Sequence, residues 1–309
     1  MAERPGRAER NRWLKQVLYY KYFYVMLLPA IVYFFVFHYF PMYGSTVAFR
    51  EFSYRNPFGG EWVGLKYFDR MMADPAFIKV FMNTLIISFG RNMFEFPVPI
   101  LLALLLNEVR RQFAKRFFQT VFTFPHFISW VVAAGIVVNL LSDAGVINQI
   151  VVAFGGEKLD IMTDPGWFRA LLFISDNWKE AGWGTIIYLA TIASISPEIY
   201  EAAKVDGARR FQLMRHITWP AMRSVMGILL ILQVANVMNA GFDQIFNMYN
   251  PVVYDSSDII DTYIYRRTFI VGESFSSSTA LGLFKSVINV ILLFTANYVV
   301  KKINKQGIY

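Results

Sequence analysis

The chain of 309 residues is 56% hydrophobic and 17% aromatic, has a mean hydropathy of +0.39 and carries a formal net charge of +8. This composition excludes most soluble domains and is typical of a protein that crosses a membrane several times. The basic residues are dispersed, which argues against a nucleic-acid-binding patch, and the absence of cysteine excludes disulfides and thiolate metal sites.

Six apolar stretches are long enough to cross the roughly 30 Å hydrocarbon core of a bilayer. A basic segment, 1–21, precedes a first span at about 22–42. We interpret this span as an uncleaved helix, because no small-residue cleavage site follows it. Pro29 is the expected position of a kink. The other spans are predicted at about 80–107, 117–141, 167–195, 221–242 and 280–300. Polar residues at 176–180 interrupt the fourth of them.

Charge predicts the orientation of these spans. Basic residues outnumber acidic ones by 18 to six in the segments 1–21, 108–116, 193–223 and 301–309 taken together. The positive-inside rule therefore places both termini in the cytoplasm. We expect an all-α integral membrane protein with six transmembrane helices and a cytoplasmic helix between helices four and five. Its parts are a cytoplasmic segment (1–21), a first helix with an extracytoplasmic loop (22–79), a transmembrane core (80–300) and a cytoplasmic tail (301–309).

The polar loop between the fourth and fifth spans carries the most specific pattern in the sequence. Ser196 is placed to cap a helix that starts at Pro197, and Gly207 permits a turn that would strain a larger residue. Residues 208–216 are expected to form a second short helix, stopped by Pro220. On these grounds alone, an ordinary helical loop between spans is an equally good interpretation.

The residues of this loop also carry a resemblance. Glu201-Ala202-Ala203, Gly207, Ile217 and Trp219-Pro220 follow the spacing of the Glu-Ala-Ala loop, with tryptophan in place of the usual leucine. The chain thus resembles the MetI-like membrane subunits of bacterial binding-protein-dependent ABC importers. In that family the loop, residues 196–220 here, is a coupling helix seated on the cytoplasmic ATPase subunit. The resemblance implies that the ATPase-coupling residues are Glu201, Ala202, Ala203, Asp206 and Gly207.

Weaker motifs extend the resemblance over most of the chain. Asn83-Thr84-Leu85 is similar to the carbohydrate-uptake branch of these permeases. Gly241–Ile245 and Asn250-Pro251 are similar to its LplB-like members, which take up oligosaccharides or polysaccharides. The resemblance implies a multi-pass protein of the bacterial cytoplasmic membrane, in contact with lipid. Its implied partners are a second permease subunit, two ABC ATPase subunits, an extracytoplasmic solute-binding protein and an oligosaccharide substrate, with no nucleic acid.

No cofactor is expected in this chain. The sequence has no Gly-x-x-x-x-Gly-Lys-Ser/Thr phosphate-binding loop, and the resemblance assigns ATP and magnesium to the partner ATPase subunits. The three histidines lack metal-ligand spacing, and no Ser-His-Asp arrangement or pair of catalytic carboxylates is evident. We therefore predict neither a catalytic nor a metal site. The alternatives left open are a secondary active transporter, an ABC permease for a non-sugar solute and a membrane enzyme.

Polar residues inside spans are candidates for the solute path, because they are costly in lipid and usually face a cavity or another helix. Amides that recur at helical spacing are expected on one face of the fifth span, where they suit sugar hydroxyls or, equally, interhelical hydrogen bonds. Phe242 and Tyr249 are candidates for stacking on sugar rings. Trp178, Lys179 and Glu180 form a second candidate group, although an aromatic and charged anchor at the outer interface is the favoured interpretation of them. Arg91 and Glu95 are placed for an ion pair within one helix. The predicted substrate-path residues are Gln233, Asn236, Asn239 and Asp243 in the first group and Trp178 and Lys179 in the second.

Overall fold

The computed structural model describes residue 16 and residues 18–304, so the predictions for the basic residues 4–15 and for Lys305 lie outside the described residues. Within this range the chain is helical, and the one β-type contact is an isolated antiparallel bridge between Arg50 and Trp62. The helices are α1 Lys21–Phe34, α2 Lys66–Ala73, α3 Pro75–Glu95, α4 Pro97–Glu108, α5 Gln112–Thr123, α6 Trp130–Leu141, α7 Val146–Ala153, α8 Pro165–Ala193, α9 Pro197–Val205, α10 Arg210–Leu213, α11 Trp219–Ala235, α12 Phe242–Met248, α13 Tyr254–Ser257, α14 Ile260–Tyr265 and α15 Phe275–Asn304. Shorter elements join them, namely a three-residue α-helix at Phe40–Met42 and π and 3-10 turns at Phe35–Tyr39, Tyr43–Phe49, Phe124–Phe127, Met214–Thr218, Pro251–Val253 and Arg266–Ile270.

Five helical stretches of the described chain are long and apolar enough to cross a membrane. They are Lys21–Phe49, Pro75–Glu108, Trp130–Ala153, Arg210–Ala235 and Phe275–Lys302. Helix α8 has 29 residues but carries four charged side chains, so it falls outside this apolar set. The all-α prediction therefore holds for the described residues, with five helices that qualify as spans by length and composition.

The predicted third span at 117–141 is wrong as one continuous helix. Helix α5 ends at Thr123, a 3-10 turn follows, and α6 begins only at Trp130. Pro125 has no amide proton to donate within a helix, and the Ser129 hydroxyl accepts a hydrogen bond from the Val132 amide at 3.4 Å, which caps the new helix. The apolar stretch long enough to span is therefore shifted to Trp130–Ala153.

The predicted boundaries around the fifth span are also wrong. Pro220 does not stop a helix, because the chain passes from α10 through the π turn Met214–Thr218 into α11, and Pro220 lies in the first turn of α11. The wider π turn just before it makes room for a ring that would clash with a regular helix. At its other end α11 stops at Ala235 rather than at residue 242. Turns follow, and Gly241 adopts the left-handed φ of +89°.

Helix α8 runs through the centre of the molecule without a break at 176–180, so the predicted interruption of the fourth span is also wrong. It packs on α3, α4, α5 and α11. Phe168 and Leu172 are fully buried in one apolar cluster, while Tyr188 and Ile192 are buried in another, farther along the helix. Gly182 allows α5 to come close, because a Cβ there would lie 2.0 Å from the Phe122 carbonyl oxygen. Small residues permit such crossings in membrane bundles.

The two ends of the bundle differ. At one, which we call the Arg50 end, the segments 50–74, 159–169 and 249–276 are joined by hydrogen bonds. Examples are Ser276 Oγ to the Arg50 carbonyl (2.7 Å) and Arg169 Nε to the Ser256 carbonyl (2.8 Å). Helix α8 leads away from this end for about 43 Å. The loop 194–209 therefore lies at the opposite end, which we call the Gly207 end.

The first helix stands apart from the packed core. Every side chain described from residue 18 to residue 43 is exposed. The chain joins the core only afterwards, where Ala48 is buried with Tyr67 and Ala280. Contacts for this helix must therefore come from lipid or from other chains.

Candidate functional site

The loop at the Gly207 end is a short helix with a defined stop. Helix α9 begins at Pro197 and ends at Val205, which confirms the predicted helix, but Ser196 makes no side-chain capping hydrogen bond and that part of the prediction is wrong. The Gly207 amide donates to the Lys204 carbonyl (3.0 Å) and the Ala208 amide to the Ala203 carbonyl (2.9 Å). These two bonds form a Schellman motif, which needs a residue in the left-handed region. Gly207 has φ +81°, as the predicted turn requires.

Helix α9 presents its surface outward. None of its residues is buried, and Glu201, Ala202, Asp206 and Gly207 are all exposed, while Ala203 is half-buried. Three apolar side chains beside them are also exposed: Ile199, Val205 and Phe211. The motif alone does not identify these residues, but their apolar character in an otherwise polar loop could have done so.

One hydrogen bond ties this surface to the membrane-spanning part. The Tyr200 hydroxyl lies 2.9 Å from the hydroxyl of Thr218, which is buried just before α11. This contact joins α9 to the residue just before α11, although the two residues are eighteen positions apart in the sequence. Helix α9 therefore has an exposed surface on one side and a buried attachment on the other.

A cluster of charged side chains lies within the bundle. The Arg91 guanidinium donates to Asp176, whose side chain is fully buried on α8, and to Glu95 at 3.2 Å, which confirms the predicted ion pair within the helix. Gln233 Nε2 on α11 donates to the second Glu95 oxygen at 3.0 Å. The Arg91 guanidinium thus joins α3 to α8, and the Glu95 carboxylate joins α3 to α11. The pairing of Asp176 is important because a buried carboxylate without a partner would be strongly unfavourable.

A second polar group occupies the next turn of α8. Lys179 is buried, and its ammonium donates to the His126 carbonyl and to Glu180, both at 2.9 Å. His126 Nδ1 lies 2.7 Å from Glu180, and its ring stacks on Trp183 with centroids 4.4 Å apart. These contacts explain why α8 continues through its charged residues. They also mean that the Lys179 ammonium is hydrogen-bonded within the protein.

Between these two groups lies a cleft of about 300 Å³, which we call the polar cleft. Its walls combine carboxylates, an amide and aromatic rings: Glu95, Glu180, Gln233, Trp183 and Tyr188. Such a lining offers both hydrogen-bonding groups and flat apolar faces. It can hold a polar solute that also has apolar surfaces, as sugars do.

The four amides and acids predicted to share one helix face do not share it. Gln233 is on α11, Asn236 follows the end of that helix, Asn239 lies in the turns and Asp243 is on α12. Asn239 Nδ2 donates to Asn236 Oδ1 at 3.2 Å, so these two do lie together. Asn236, Asn239 and Asp243 are exposed, and Gln233 is half-buried against Glu95.

Trp178 points away from the polar cleft. It lines an apolar groove of about 380 Å³ together with Ile136, Leu140, Trp167 and Ile174. The structure therefore separates Trp178 from Lys179, which sequence adjacency had placed in one group.

Comparison with known proteins decides the family. Residues 95–305 match the family described as "Binding-protein-dependent transport system inner membrane component". The chain belongs to this family. The resemblance drawn from the Glu-Ala-Ala loop is thereby confirmed, and the exposed α9 lies within the matched region.

Relatives in the family match along almost the whole chain. The polygalacturonan/rhamnogalacturonan transport system permease protein YteP of Bacillus subtilis is 44% identical over 97% of this chain and 94% of its own length. Protein LplB of the same organism is 42% identical over 96% of this chain and 94% of its own length.

A solved structure has the same fold. The crystal structure of a bacterial ABC transporter involved in the import of the acidic polysaccharide alginate contains a chain that is 37% identical to this one, with a TM-score of 0.87. The match covers 94% of this chain and 99% of that chain. The chain is thus a permease of the ABC-importer type, whose ATPase is a separate subunit in this family.

Proposed function

We propose that this chain is the permease subunit of an ATP-driven importer in the bacterial cytoplasmic membrane that translocates an oligosaccharide or glycan fragment. Two ABC ATPase subunits bind ATP and magnesium, a second permease completes the pathway, and an extracytoplasmic protein delivers the solute. The observation that carries the proposal is the exposed, sharply terminated helix α9 at one end of a polytopic bundle.

The Gly207 end faces the cytoplasm in this proposal. Helix α8 acts as a sixth span despite its charges, because they are paired with neighbouring elements. Both termini then lie on the Gly207 side, in agreement with the excess of basic residues there.

Coupling in this proposal depends on close contact with the ATPase. Ala202 and Ala203 allow close approach, Glu201 supplies a polar anchor and Gly207 fixes the angle at which the chain leaves the helix. Asp206 occupies the capping position. When the two ATPase subunits close on ATP, α9 moves as a rigid piece, and the Tyr200–Thr218 hydrogen bond passes that motion to α11.

The nature of the solute is inferred from the relatives and from the cleft. One relative is named for polygalacturonan and rhamnogalacturonan transport, and one structural neighbour imports alginate together with a periplasmic protein that binds an alginate pentasaccharide. Asn236, Asn239 and Asp243 are exposed near Gln233 in the chain and remain candidates for contacting hydroxyl groups. Lys179 and Trp178 do not contact the solute in this proposal. The Lys179 ammonium is hydrogen-bonded to the His126 carbonyl, and Trp178 lines an apolar groove.

Single cysteines test the topology and the docking face, because the chain has none of its own. Val205 and Phe154 are a matched pair, 88% and 90% exposed. In the assembled transporter, Val205→Cys should crosslink to an ATPase subunit and resist a membrane-impermeant thiol reagent added outside intact cells. Phe154→Cys should give the opposite result. Labelling of Val205→Cys from outside would refute the proposal.

Uptake assays separate the classes of transporter. Vanadate should block uptake by the assembled transporter, whereas a secondary transporter would respond to an ionophore. Glu201→Lys and Gly207→Asp should leave the protein in the membrane with its partners and abolish uptake. Normal uptake by both variants would contradict the coupling role of α9.

A further inference from the structure

A continuous row of aromatic side chains connects the Arg50 end to the charged cluster inside the bundle. Each ring contacts the next, with centroids between 4.8 and 6.2 Å apart. We call this row the aromatic track, and its members in spatial order are Tyr54, Phe275, Phe269, Tyr265, Phe246 and Phe242.

The track is not part of the apolar core. None of its six rings is buried, and Tyr54 is 82%, Phe269 67% and Phe246 36% exposed. The rings come from four separate segments: the loop before α2, the start of α15, the region of α14 with its π turn, and α12. Aromatic rings gathered only for packing would be buried, whereas Tyr54, Phe246 and Phe269 are exposed and the other three rings are partly exposed.

The inner end of the track meets the charged cluster. Phe242 follows Gly241, where a Cβ would lie only 1.9 Å from Arg91 Nη1, so glycine lets the guanidinium lie against the backbone. Arg91 in turn holds Glu95, which lines the polar cleft. Arg91 is sixteen residues into α3, about 24 Å from the start of that helix at the Arg50 end.

This course distinguishes the track from an interfacial aromatic belt, whose rings stay at one depth in the membrane. The track runs inward instead, and polar groups accompany it. Arg266 lies over the Tyr254 ring at 4.7 Å, Tyr254 contacts Tyr249, which adjoins Phe246, and Asp243 is exposed beside Phe242. A pyranose ring has an apolar face of C–H groups and an edge of hydroxyls, so it needs this combination of flat aromatic faces and hydrogen-bonding neighbours.

We propose that the aromatic track is a binding path for the pyranose rings of an oligosaccharide, leading from the Arg50 end to the polar cleft. The inference rests on the proposed function and adds the route and the chemical group recognised. Successive rings offer successive stacking positions, so that several sugar units of one chain are held at once and can advance step by step.

The test measures uptake by the assembled transporter in proteoliposomes, with its solute-binding protein and fluorescent pentasaccharides of galacturonate, alginate and galactose. Phe246→Leu and Phe269→Leu keep apolar volume but remove the flat face. At subsaturating probe, each should lower the uptake rate by about 2- to 10-fold, the range expected for loss of one aromatic contact. Tryptophan at either position should restore the uptake rate.

Phe294→Leu is the matched control, because Phe294 is 62% exposed on α15 and lies outside the track. If the wild-type transporter imports a probe and the two track variants match this control, the track proposal is overturned and the proposed function stands. If the wild-type transporter imports none of the three probes, the glycan substrate and the track are both overturned.

Discussion

Replacing Gly207 by alanine tests whether the turn after α9 determines coupling. The added Cβ would meet no atom within 4 Å, so no steric clash is involved. What remains is the conformational cost of placing an L-residue at φ +81°, about 1–2 kcal/mol. That energy changes an equilibrium by a factor of about 5–30. The capped turn should therefore give way to unwound forms of the helix end.

The structure supplies a matched control at the opposite end of the molecule. Gly155 has φ +82°, would likewise place an added Cβ with no atom within 4 Å, and follows α7 in the same Schellman geometry. Gly155→Ala therefore carries the same strain without touching the coupling loop. Gly207→Asn is a second control, because asparagine tolerates the left-handed region better than alanine.

The assay compares solute uptake with ATP hydrolysis in the assembled transporter, together with its melting temperature. Both alanine variants should lower the melting temperature to a similar extent. Only Gly207→Ala should lower the uptake per ATP hydrolysed, by about fivefold or more if the full strain is expressed, and Gly207→Asn should recover most of it. Equal uptake losses in Gly207→Ala and Gly155→Ala would refute the reasoning, since the effect would then be general destabilisation.

Three further predictions concern other contacts. Arg91→Met should destabilise the protein by about 3–5 kcal/mol, because Asp176 is left buried without its partner, and thermal melting of the purified complex measures this loss. Tyr200→Phe should reduce uptake more than ATP hydrolysis, since it removes a hydrogen bond worth about 0.5–1.5 kcal/mol between α9 and the residue just before α11. The hydrogen bond from Lys66 lowers the pKa of Glu51, so ionisation of Glu51 stabilises the fold at neutral pH, and this contribution is lost as the pH falls through the lowered value. Melting curves from pH 7 to pH 3 should therefore show a weaker acid dependence for Glu51→Gln.

Each of these has a control. Arg91→Met combined with Asp176→Leu should be more stable than Arg91→Met alone, although Glu95 then keeps only its hydrogen bond from Gln233. A double variant no more stable than Arg91→Met would contradict the pairing argument. Tyr24→Phe removes a hydroxyl from the exposed first helix and should leave uptake unchanged. High salt should abolish the difference between Glu51→Gln and the wild-type protein, because this ion pair is exposed. A difference that persists in high salt would rule out a screened ion pair as its origin.

The sequence predicted elements whose causes are local. Helix α15 follows from a long apolar run, and α9 begins at Pro197 and is ended by the turn at Gly207. These features depend on neighbouring residues alone, and they lie where they were expected. The Arg91–Glu95 pair is likewise a consequence of helical spacing. Such features can be derived without knowledge of distant contacts.

The features that were missed depend on residues far apart in the chain. Helix α8 continues through Asp176 and Lys179 because Arg91 and His126, more than fifty residues earlier, supply their partners. Gln233 and Asn239 are not on one helix, because α11 ends at Ala235 and the chain turns before Gly241, which has φ +89° and lies against Arg91. Hydropathy gives no information on these pairings, so the arrangement of these side chains had to come from the structure.

The pairing between Arg91 and Asp176 also bears on how the protein is made. Alone, α8 would carry an unpaired buried carboxylate into hydrocarbon, and its amino-acid composition gives it little tendency to partition there unaided. Synthesis proceeds from the N-terminus, so α3 has emerged from the ribosome before α8 does. In the proposed six-span topology, Arg91 is therefore already in the membrane when α8, whose charges keep it out of the apolar set, is inserted.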